Sequence, residues 1–260
     1  MFDHDVIDRG RRRPARIFAS AVIGIVAVLA ASCSSSPSAP SSATVAGSQS
    51  SVSTAPEPVC PVPDSGDCLG RLAAGTHTST DFAPKLTFRM PAGWANYLDV
   101  SGLYLLQPPG AVPPGNYIKG SFIGLATRVA PEANDCQSPL GNVGTSPAAI
   151  AAWMRRQPGL VTSPPQPVAI GGLRGETLTI SMAKGAKGCV AVGAPTAAVP
   201  LLVGVGPSSF DHEVGPGIAE RDYLLAYRSG TLGIEVIDAS GGGQLANYSK
   251  LVEGFRFGRR

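Results

Sequence analysis

The sequence predicts an α+β fold, a twisted antiparallel sheet with about two helices packed on it, preceded by a signal peptide and a disordered linker. Short segments in which apolar and polar residues alternate recur along the chain, which is typical of strands half buried in a sheet. The 24 prolines and 32 glycines supply many turns between these segments. The segments follow the order strands, helix, strands, helix, which favours helices packed against an antiparallel sheet.

The N-terminus has the pattern of a signal peptide. A segment with five arginines precedes an uncharged, largely apolar run at residues 17–32, with small residues before Cys33. The run is shorter than the ~20 residues that a helix needs to cross a bilayer, so a retained anchor helix is the weaker interpretation. Residues 29–33, LAASC, resemble the lipobox of bacterial lipoproteins, which implies that Cys33 is acylated and becomes the first mature residue. Ala30 departs from the Leu, Val or Ile usual in that family, and cleavage as an ordinary signal peptide is the alternative.

The predicted domains are a signal peptide at 1–32, a lipidated tether at 33–58 and one globular domain at 59–260. Nearly every residue of the tether is Ser, Ala, Pro, Thr, Gly or Val, and Glu57 is its only charge. Such a segment cannot bury enough apolar surface to offset its ordering entropy. We therefore expect a domain held by a lipid at the extracytoplasmic face of the cell membrane.

The net charge and its distribution argue against a nucleic-acid partner. The leader contains five arginines and three aspartates out of 21 basic and 18 acidic residues, so the mature chain is close to neutral. Its lysines and arginines are scattered along the sequence, whereas nucleic-acid binding requires a basic patch. We therefore predict no nucleic-acid partner.

Four cysteines besides Cys33 indicate a disulfide framework, which suits an exported chain. They allow three connectivities, of which we favour Cys60 with Cys68 and Cys136 with Cys189. The first pair would close a small loop where the tether meets the domain, and the second would join two distant loops. The alternative is a metal site on the first pair, but its spacing is too wide for a zinc knuckle.

Three strands and one helix are predicted in the first half of the domain. Apolar residues alternate with polar ones at 86–90, and further strands are predicted at 103–106 and 121–129. Ser146 then offers a helix N-cap with proline at the first helical position, and the following apolar residues share one face. The sequence QPG at 157–159 ends this helix.

The second half of the domain is rich in predicted strands. In order, these are a hairpin of 168–170 and 177–182 around a turn at 171–175, a short strand at 201–203, a hairpin of 223–228 and 232–236 around Ser229 and Gly230, an amphipathic helix at 245–252 that ends at Gly254, and a closing strand at 255–257. The glycine-rich turns support both hairpins, because glycine adopts positive φ without steric cost.

Three segments resemble those of a known class of proteins. Residues 86–94, LTFRMPAGW, resemble the opening of actinobacterial lipoprotein domains, and SPAAIAAWMRRQPGL followed by PVAIGGLRGE is similar to their middle. The terminal helix ending in EGFRF resembles the close of PsbP-like and LpqN-like domains. The segments are distributed over residues 86–257. The resemblance implies an α/β/α-type sandwich and a non-enzymatic accessory or binding role, and it transfers no functional residue.

No catalytic constellation is evident in the sequence. A serine hydrolase would need a G-x-S-x-G turn, which does not occur, and His77 and His212 are the only histidines after the leader. His77 lies in a polar approach to the first strand, where we expect it to be exposed. Asp211, His212 and Glu213 form the densest polar group, which we interpret as a solvated loop between strands, with a metal or acid/base role as the alternative.

Two other features could be mistaken for ligand sites. The glycines at 171, 172 and 175 lack the order of a phosphate-binding loop, and we predict that they serve the hairpin turn. Trp94 follows Pro-x-Gly at a strand end, where we predict that it caps the core, with ligand stacking as the alternative. We therefore assign no catalytic, metal or cofactor residue, and we expect no cofactor.

The sequence thus predicts a non-catalytic cell-envelope lipoprotein, a binding or accessory module for an envelope component, an apolar ligand or a protein partner. One alternative is a secreted hydrolase whose site is assembled by the fold from His212 with Asp211, Glu220 or Asp222. The other is a structural spacer or assembly factor, which would have a flat surface without a sizeable apolar pocket.

Overall fold

The computed structural model describes residues 70–110, 120–189, 197–205 and 211–258. The predicted signal peptide, Cys33, the tether and the Cys60–Cys68 pair lie outside these ranges. Within them the chain is mostly antiparallel strand with two helices, which confirms the predicted α+β class. Neither helix in these ranges has the length and apolar character needed to span a bilayer.

Fifteen strands and two helices follow one another in the described ranges. They are β1 (Gly70–Arg71), β2 (Gly75–Thr78), β3 (Leu86–Met90), β4 (Ala95–Val100), β5 (Leu103–Gln107), β6 (Phe122–Thr127), β7 (Val129–Pro131), α1 (Pro147–Met154), β8 (Leu160–Thr162), β9 (Gln166–Ile170), β10 (Leu173–Met182), β11 (Val199–Gly204), β12 (Asp211–Val214), β13 (Ala219–Tyr227), β14 (Gly230–Asp238), α2 (Leu245–Glu253) and β15 (Arg256–Phe257).

One large sheet organises the domain. Its strand order is β1-β4-β5-β6-β14-β13-β10-β8, with β9 also paired to β10, and every pairing is antiparallel. Two three-stranded sheets, β12-β11-β7 and β15-β3-β2, accompany it. The long hairpin of β13 and β14 lies at its centre, in register from Ala219 opposite Asp238 to Tyr227 opposite Gly230.

The central strands are buried on both faces. On β14, Leu232, Ile234 and Val236 belong to a core that includes residues of β3 and α2. On the other face, Leu224 of β13 belongs to a second core with residues of α1, β11 and β12. Because successive side chains of a strand point to opposite faces, the residues between the apolar positions of β14 lie under this second core.

The predicted helices are confirmed with small differences in length. Ser146 caps α1 by accepting a hydrogen bond from the backbone N–H of Ala149, at 3.3 Å. The helix ends at Met154, earlier than its predicted stop. The second helix extends to Glu253, and Gly254 is its C-cap residue as predicted.

Three strand predictions require correction. The strand predicted at 121–129 is two strands, because the chain turns at Arg128 with φ of 59° and passes from the large sheet to the β12-β11-β7 sheet. Residues 211–213, predicted as a solvated loop, form most of β12, which pairs with β11. His77, predicted in a polar approach, lies in β2 and is only half exposed, because β2 pairs with β3.

The turn at 171–172 serves the β9–β10 hairpin, as predicted for Gly171 and Gly172. Gly175, which was also predicted in this turn, lies instead in β10, where it pairs with Val168 on one side and Leu225 on the other. Gly171 and Gly172 have φ of 58° and 88°, which side chains other than glycine rarely adopt. Gly171 also has no room for a side chain, because a Cβ there would lie 2.7 Å from the ring of Phe257. The closing strand β15 can therefore pass close to this turn.

Cys136 and Cys189 form a disulfide, the pairing that the sequence predicts. Their Cα atoms are 6.1 Å apart and the residues are 53 positions apart in the chain. The bond joins the loop after β7 to the segment before β11. Closing a loop of that length removes on the order of 4 kcal/mol of unfolded-state freedom in the chain-entropy account.

A buried carboxylate organises the loop before β3. Asp99 of β4 is 2% exposed and accepts backbone hydrogen bonds from Thr80 at 2.5 Å, Asp81 at 3.1 Å and Phe82 at 2.8 Å. Charge-assisted bonds of this kind are stronger than neutral ones. The loop leads into Ala83, at the rim of the cleft described below.

We expect Asp99→Ala to lower the free energy of unfolding by on the order of 3 kcal/mol, because three backbone N–H groups lose their acceptor. Urea unfolding followed by circular dichroism measures this loss. The exposed Asp81→Ala is the matched control and should stay within about 0.5 kcal/mol of the wild type. Equal stability of the two variants would contradict the role assigned to Asp99.

Candidate functional site

A cleft of about 690 Å³ opens at one end of the large sheet. It lies where the β13–β14 turn, the β4–β5 turn and the corner between β6 and β7 come together. The polar side chains that line it are Ser101, Thr127, Arg128, Thr145, Tyr227, Arg228 and Ser229. Its volume is within the range of sites for small molecules.

The two arginines of the cleft occupy unusual backbone positions. Arg128 forms the corner between β6 and β7 with φ of 59°, and Arg228 begins the two-residue β13–β14 turn with φ of 53°. A residue other than glycine pays about 1 kcal/mol for this left-handed conformation. Glycine would suit both turns better for stability alone, so the arginine side chains themselves are a candidate reason for the strain.

The cleft is positively charged. No acidic residue is among its lining residues, and within the described part of the chain neither arginine forms an ion pair with a carboxylate. The guanidinium of Arg228 lies over the ring of Tyr227, 5.2 Å from its centroid. Guanidinium groups bind phosphate and carboxylate oxygens in paired hydrogen bonds, so the cleft suits an anion.

A second feature lies under the core that contains α1. His212 of β12, Glu220 and Asp222 of β13, and Glu235 of β14 form a buried group, here called the acidic cluster. Nε2 of His212 lies 3.0 Å from Oε2 of Glu220, and Nδ1 lies 3.8 Å from Oε2 of Glu235. Asp222 is directly opposite Glu235 in the strand register.

Strand periodicity positions the acidic cluster. Glu220 and Asp222 are two residues apart on β13, on the face that carries Leu224 into the second core. Glu235 comes from the same face of β14. His212 approaches from β12, and its ring lies edge-on to Phe122 at 6.1 Å between centroids.

Burial dominates the protonation of the acidic cluster. It raises the pKa of Glu220 to about 7. It also raises the pKa of Asp222 and Glu235 well above their ordinary values, and the neighbouring Glu220 carboxylate adds to both shifts. Burial lowers the pKa of His212 despite the opposing effect of Asp222. Each group is thus driven towards its neutral form.

A second group of possible metal ligands lies near the disulfide. Donor atoms of Glu132, Cys136 and Glu213 lie within 4.8 Å of one another, as do those of His212, Glu220 and Glu235. The sulfur of Cys136 is bonded to Cys189, so it is not a thiolate ligand in this state. Burial, followed by the charges of Glu213 and Asp211, raises the pKa of Glu132 to about 9.

The structure brings together part of the set that the hydrolase alternative requires. His212 meets Glu220, with Asp222 beside them, whereas Asp211 is exposed. Yet His212 is only 9% exposed and its acidic partners 2% or less, so a substrate has little access to them. None of the four residues of the cluster lines the cleft.

Glu235 was missed by the sequence analysis. It lies between Ile234 and Val236 in a strand that is buried along almost its whole length. The strand was predicted from its apolar positions alone, which do not include Glu235. Extending the β13 prediction from Tyr223 back to Ala219 would have placed Glu220 and Asp222 on one face. The presence of Glu235 within an otherwise apolar predicted hairpin is the sequence feature that could have indicated a buried carboxyl group.

The predicted role of Trp94 as a core cap is confirmed. Its side chain is 4% exposed and lies edge-on to Tyr248, 5.2 Å between ring centroids. His77 also has structural contacts, since its Nε2 lies 2.9 Å from the carbonyl oxygen of Ala73 and its ring 5.7 Å from that of Phe88. Neither residue belongs to the cleft or to the acidic cluster.

The fold and site together define an α+β domain with a basic cleft and a buried acidic cluster. No protein-family model matches the chain, and no curated protein sequence matches it. Among solved structures, the chain is similar to the solution structure of cyanobacterial PsbP (CyanoP) from Synechocystis sp. PCC 6803. The TM-score is 0.36 at 10% identity, over 72% of this chain and 94% of that chain.

The raised pKa of Glu132 predicts a pH-dependent stability. The ordinary pKa is 4.5 and the folded value is about 9. Between these values the folded state binds more protons than the unfolded state, so the free energy of unfolding falls as pH rises, by at most about 1.4 kcal/mol per pH unit from this group. Glu132→Gln should flatten the profile and make the domain more stable than the wild type at pH 8.

Urea unfolding at pH 5, 6.5 and 8, with a metal chelator present, measures this dependence. The exposed Glu253→Gln is the control and should retain the slope of the wild type. A Glu132→Gln profile as steep as that of the wild type would contradict the assignment.

Proposed function

We propose that the chain is a non-catalytic cell-envelope lipoprotein whose domain binds a small anionic component of the envelope in the cleft. The observation that carries this proposal is the pair of left-handed arginines, Arg128 and Arg228, in a cleft without an acidic lining residue. Residues with a strained backbone conformation cluster at functional sites, because such a conformation lowers stability and persists only where the surrounding structure enforces it. Here the strained positions are the ones that supply positive charge.

The lining also favours an anionic ligand over an apolar one, which was one of the three kinds of partner that the sequence left open. The hydroxyl groups of Ser101, Thr127 and Thr145 can donate further hydrogen bonds to phosphate or carboxylate oxygens. Tyr227 adds an apolar ring beneath the guanidinium of Arg228. A ligand that combines an anionic group with a small apolar or sugar-like body fits this lining.

The location proposed for the domain is the extracytoplasmic face of the membrane, held by a lipid on Cys33. The signal-peptide pattern and the lipobox-like residues support it. The Cys136–Cys189 disulfide supports it as well, because such bonds persist in oxidising compartments.

Two alternatives are weaker. The hydrolase would use His212 and Glu220, whose burial leaves little room for a substrate. The spacer would present a flat surface, which the concave 690 Å³ cleft argues against, although the lining of this cleft is largely polar rather than apolar. The cleft is the feature that distinguishes a binding module from both.

Anion binding is measured by isothermal titration of the purified full chain with inorganic phosphate and with glycerol phosphate at constant ionic strength. We expect saturable binding that Arg228→Gly and Arg128→Gly each weaken about tenfold, since each removes one charge-assisted contact of about 1.4 kcal/mol. Glycine relieves the positive φ, so the melting temperature of either variant should not fall below that of the wild type.

The exposed Arg174→Ala, on β10, is the matched control and should bind both probes like the wild type. Loss of binding without loss of stability separates a ligand role from a structural one. Failure of the wild type to bind either probe, or unchanged binding by both glycine variants, would overturn the anionic assignment.

The proposed anchor predicts the mass of the protein extracted from membranes. Intact mass spectrometry should give a chain that begins at Cys33 and carries diacylglyceryl, and Cys33→Ala should release the domain from the membrane fraction. Ser32→Ala, beside the acylated residue, is the control and should leave membrane association unchanged. A chain that retains Met1 would contradict the proposed export.

A further inference from the structure

The acidic cluster places three carboxyl groups together where water does not reach them, so their ionised forms would repel one another unless a cation is bound. Glu220, Asp222 and Glu235 are 0%, 0% and 2% exposed, and Asp222 faces Glu235 directly across the strands. Like charges at directly opposite strand positions destabilise a sheet. A single histidine, His212, is the basic residue in the cluster.

Glu235 carries the strongest indication that a ligand is bound. Neither of its carboxylate oxygens has a hydrogen-bond partner within the described residues, although its side chain is 2% exposed. Its Oε2 points into the cluster, 3.8 Å from Nδ1 of His212. A buried carboxylate without hydrogen bonds is costly, so such groups are normally paired or coordinate a metal.

The distances between the donor atoms of the cluster are short enough for them to bind one shared cation. One donor atom each from His212, Glu220 and Glu235 lies within 4.8 Å of the others. Two ligands at about 2.0–2.1 Å from a tetrahedral zinc ion are about 3.3 Å apart. The 3.0 Å between Nε2 of His212 and Oε2 of Glu220 is close to that separation.

We propose that His212, Glu220 and Glu235 form a buried binding site for a divalent transition-metal cation of the zinc class. Imidazole with carboxylates is a typical ligand set for zinc, and two ionised carboxylates balance the charge of a dication. Asp222, which is buried and directly opposite Glu235 in the strand register, is the adjacent carboxyl group. The three ligands come from β12, β13 and β14, so the ion would join the smaller sheet to the central hairpin.

The burial of all three ligands leaves a substrate little access, and the neighbouring Asp222 offers a fourth buried carboxyl group, so the ion would have a structural role. A catalytic zinc site keeps an open position for water or substrate, whereas a structural one is closed by the protein. Binding free energy of such an ion adds to folding free energy. This inference is independent of anion binding in the cleft, because no cluster residue lines the cleft.

Zinc binding is tested on the purified full chain after removal of metals with a chelator. Competition with a chromophoric zinc indicator should give one zinc ion per chain and a raised melting temperature. Glu235→Gln should weaken zinc binding by about 100-fold or more, since removal of outer partners alone costs 10- to 100-fold. Glutamine removes the unpaired charge at equal size, so the metal-free variant should fold.

Two further measurements keep the test decisive. Glu253→Gln, which alters an exposed carboxylate on α2 outside both groups of possible ligands, is the matched control and should bind zinc like the wild type. Cobalt in place of zinc should give a visible spectrum of tetrahedral nitrogen and oxygen ligands without a thiolate charge-transfer band, and His212→Gln should abolish it.

Less than about a tenth of an ion per chain, or equal zinc affinity in the wild type and Glu235→Gln, would overturn the site and leave protons as the occupants of the cluster. A cobalt spectrum with a thiolate band would also overturn it, since it would assign the metal to cysteines. If Glu235→Gln fails to fold, the zinc content of the wild type and its cobalt spectrum decide between these outcomes.

Discussion

The register of the β13–β14 hairpin is the constraint on which the rest of the structure depends. Nine consecutive residue pairs join the two strands, and β10 and β6 extend the sheet on either side. A slip of one residue would turn every side chain of a strand to the opposite face. Leu232 and Ile234 would leave the core that contains α2, and Glu235 would enter it. The same register sets the position of Arg228 at the cleft.

The face of this hairpin towards the core that contains α1 carries buried carboxyl groups that do not favour folding. Most other residues of β13 and β14 are apolar and buried, yet Glu220, Asp222 and Glu235 occupy positions where well-packed apolar side chains often give equal or greater stability. Burial favours their neutral forms, and a cation offers the other way to compensate the charge. A fold selected for stability alone would not retain three such groups.

Much of the fold could be predicted from the sequence, because local signals act within a few residues. Ser146 before proline predicted the start of α1, and alternation predicted β3 and the centre of the hairpin. The β12 strand was missed because its residues DHEV carry three polar side chains, whose burial depends on β11 and β13. The arginines of the cleft were also missed, since positive φ at a residue other than glycine has no signal in composition or periodicity. The burial of β12 and the backbone conformation of the two arginines both depend on contacts between segments that are distant in the sequence.

The Cys136–Cys189 bond encloses α1 and the strands β8, β9 and β10 within one covalent loop. An extracellular protease that cut once inside this loop would leave its two fragments linked, with the β10–β13 pairing still available to hold them in register. Digestion would therefore require a second cut or prior reduction of the bond. Where proteases are present, that delay would lengthen the lifetime of the folded domain.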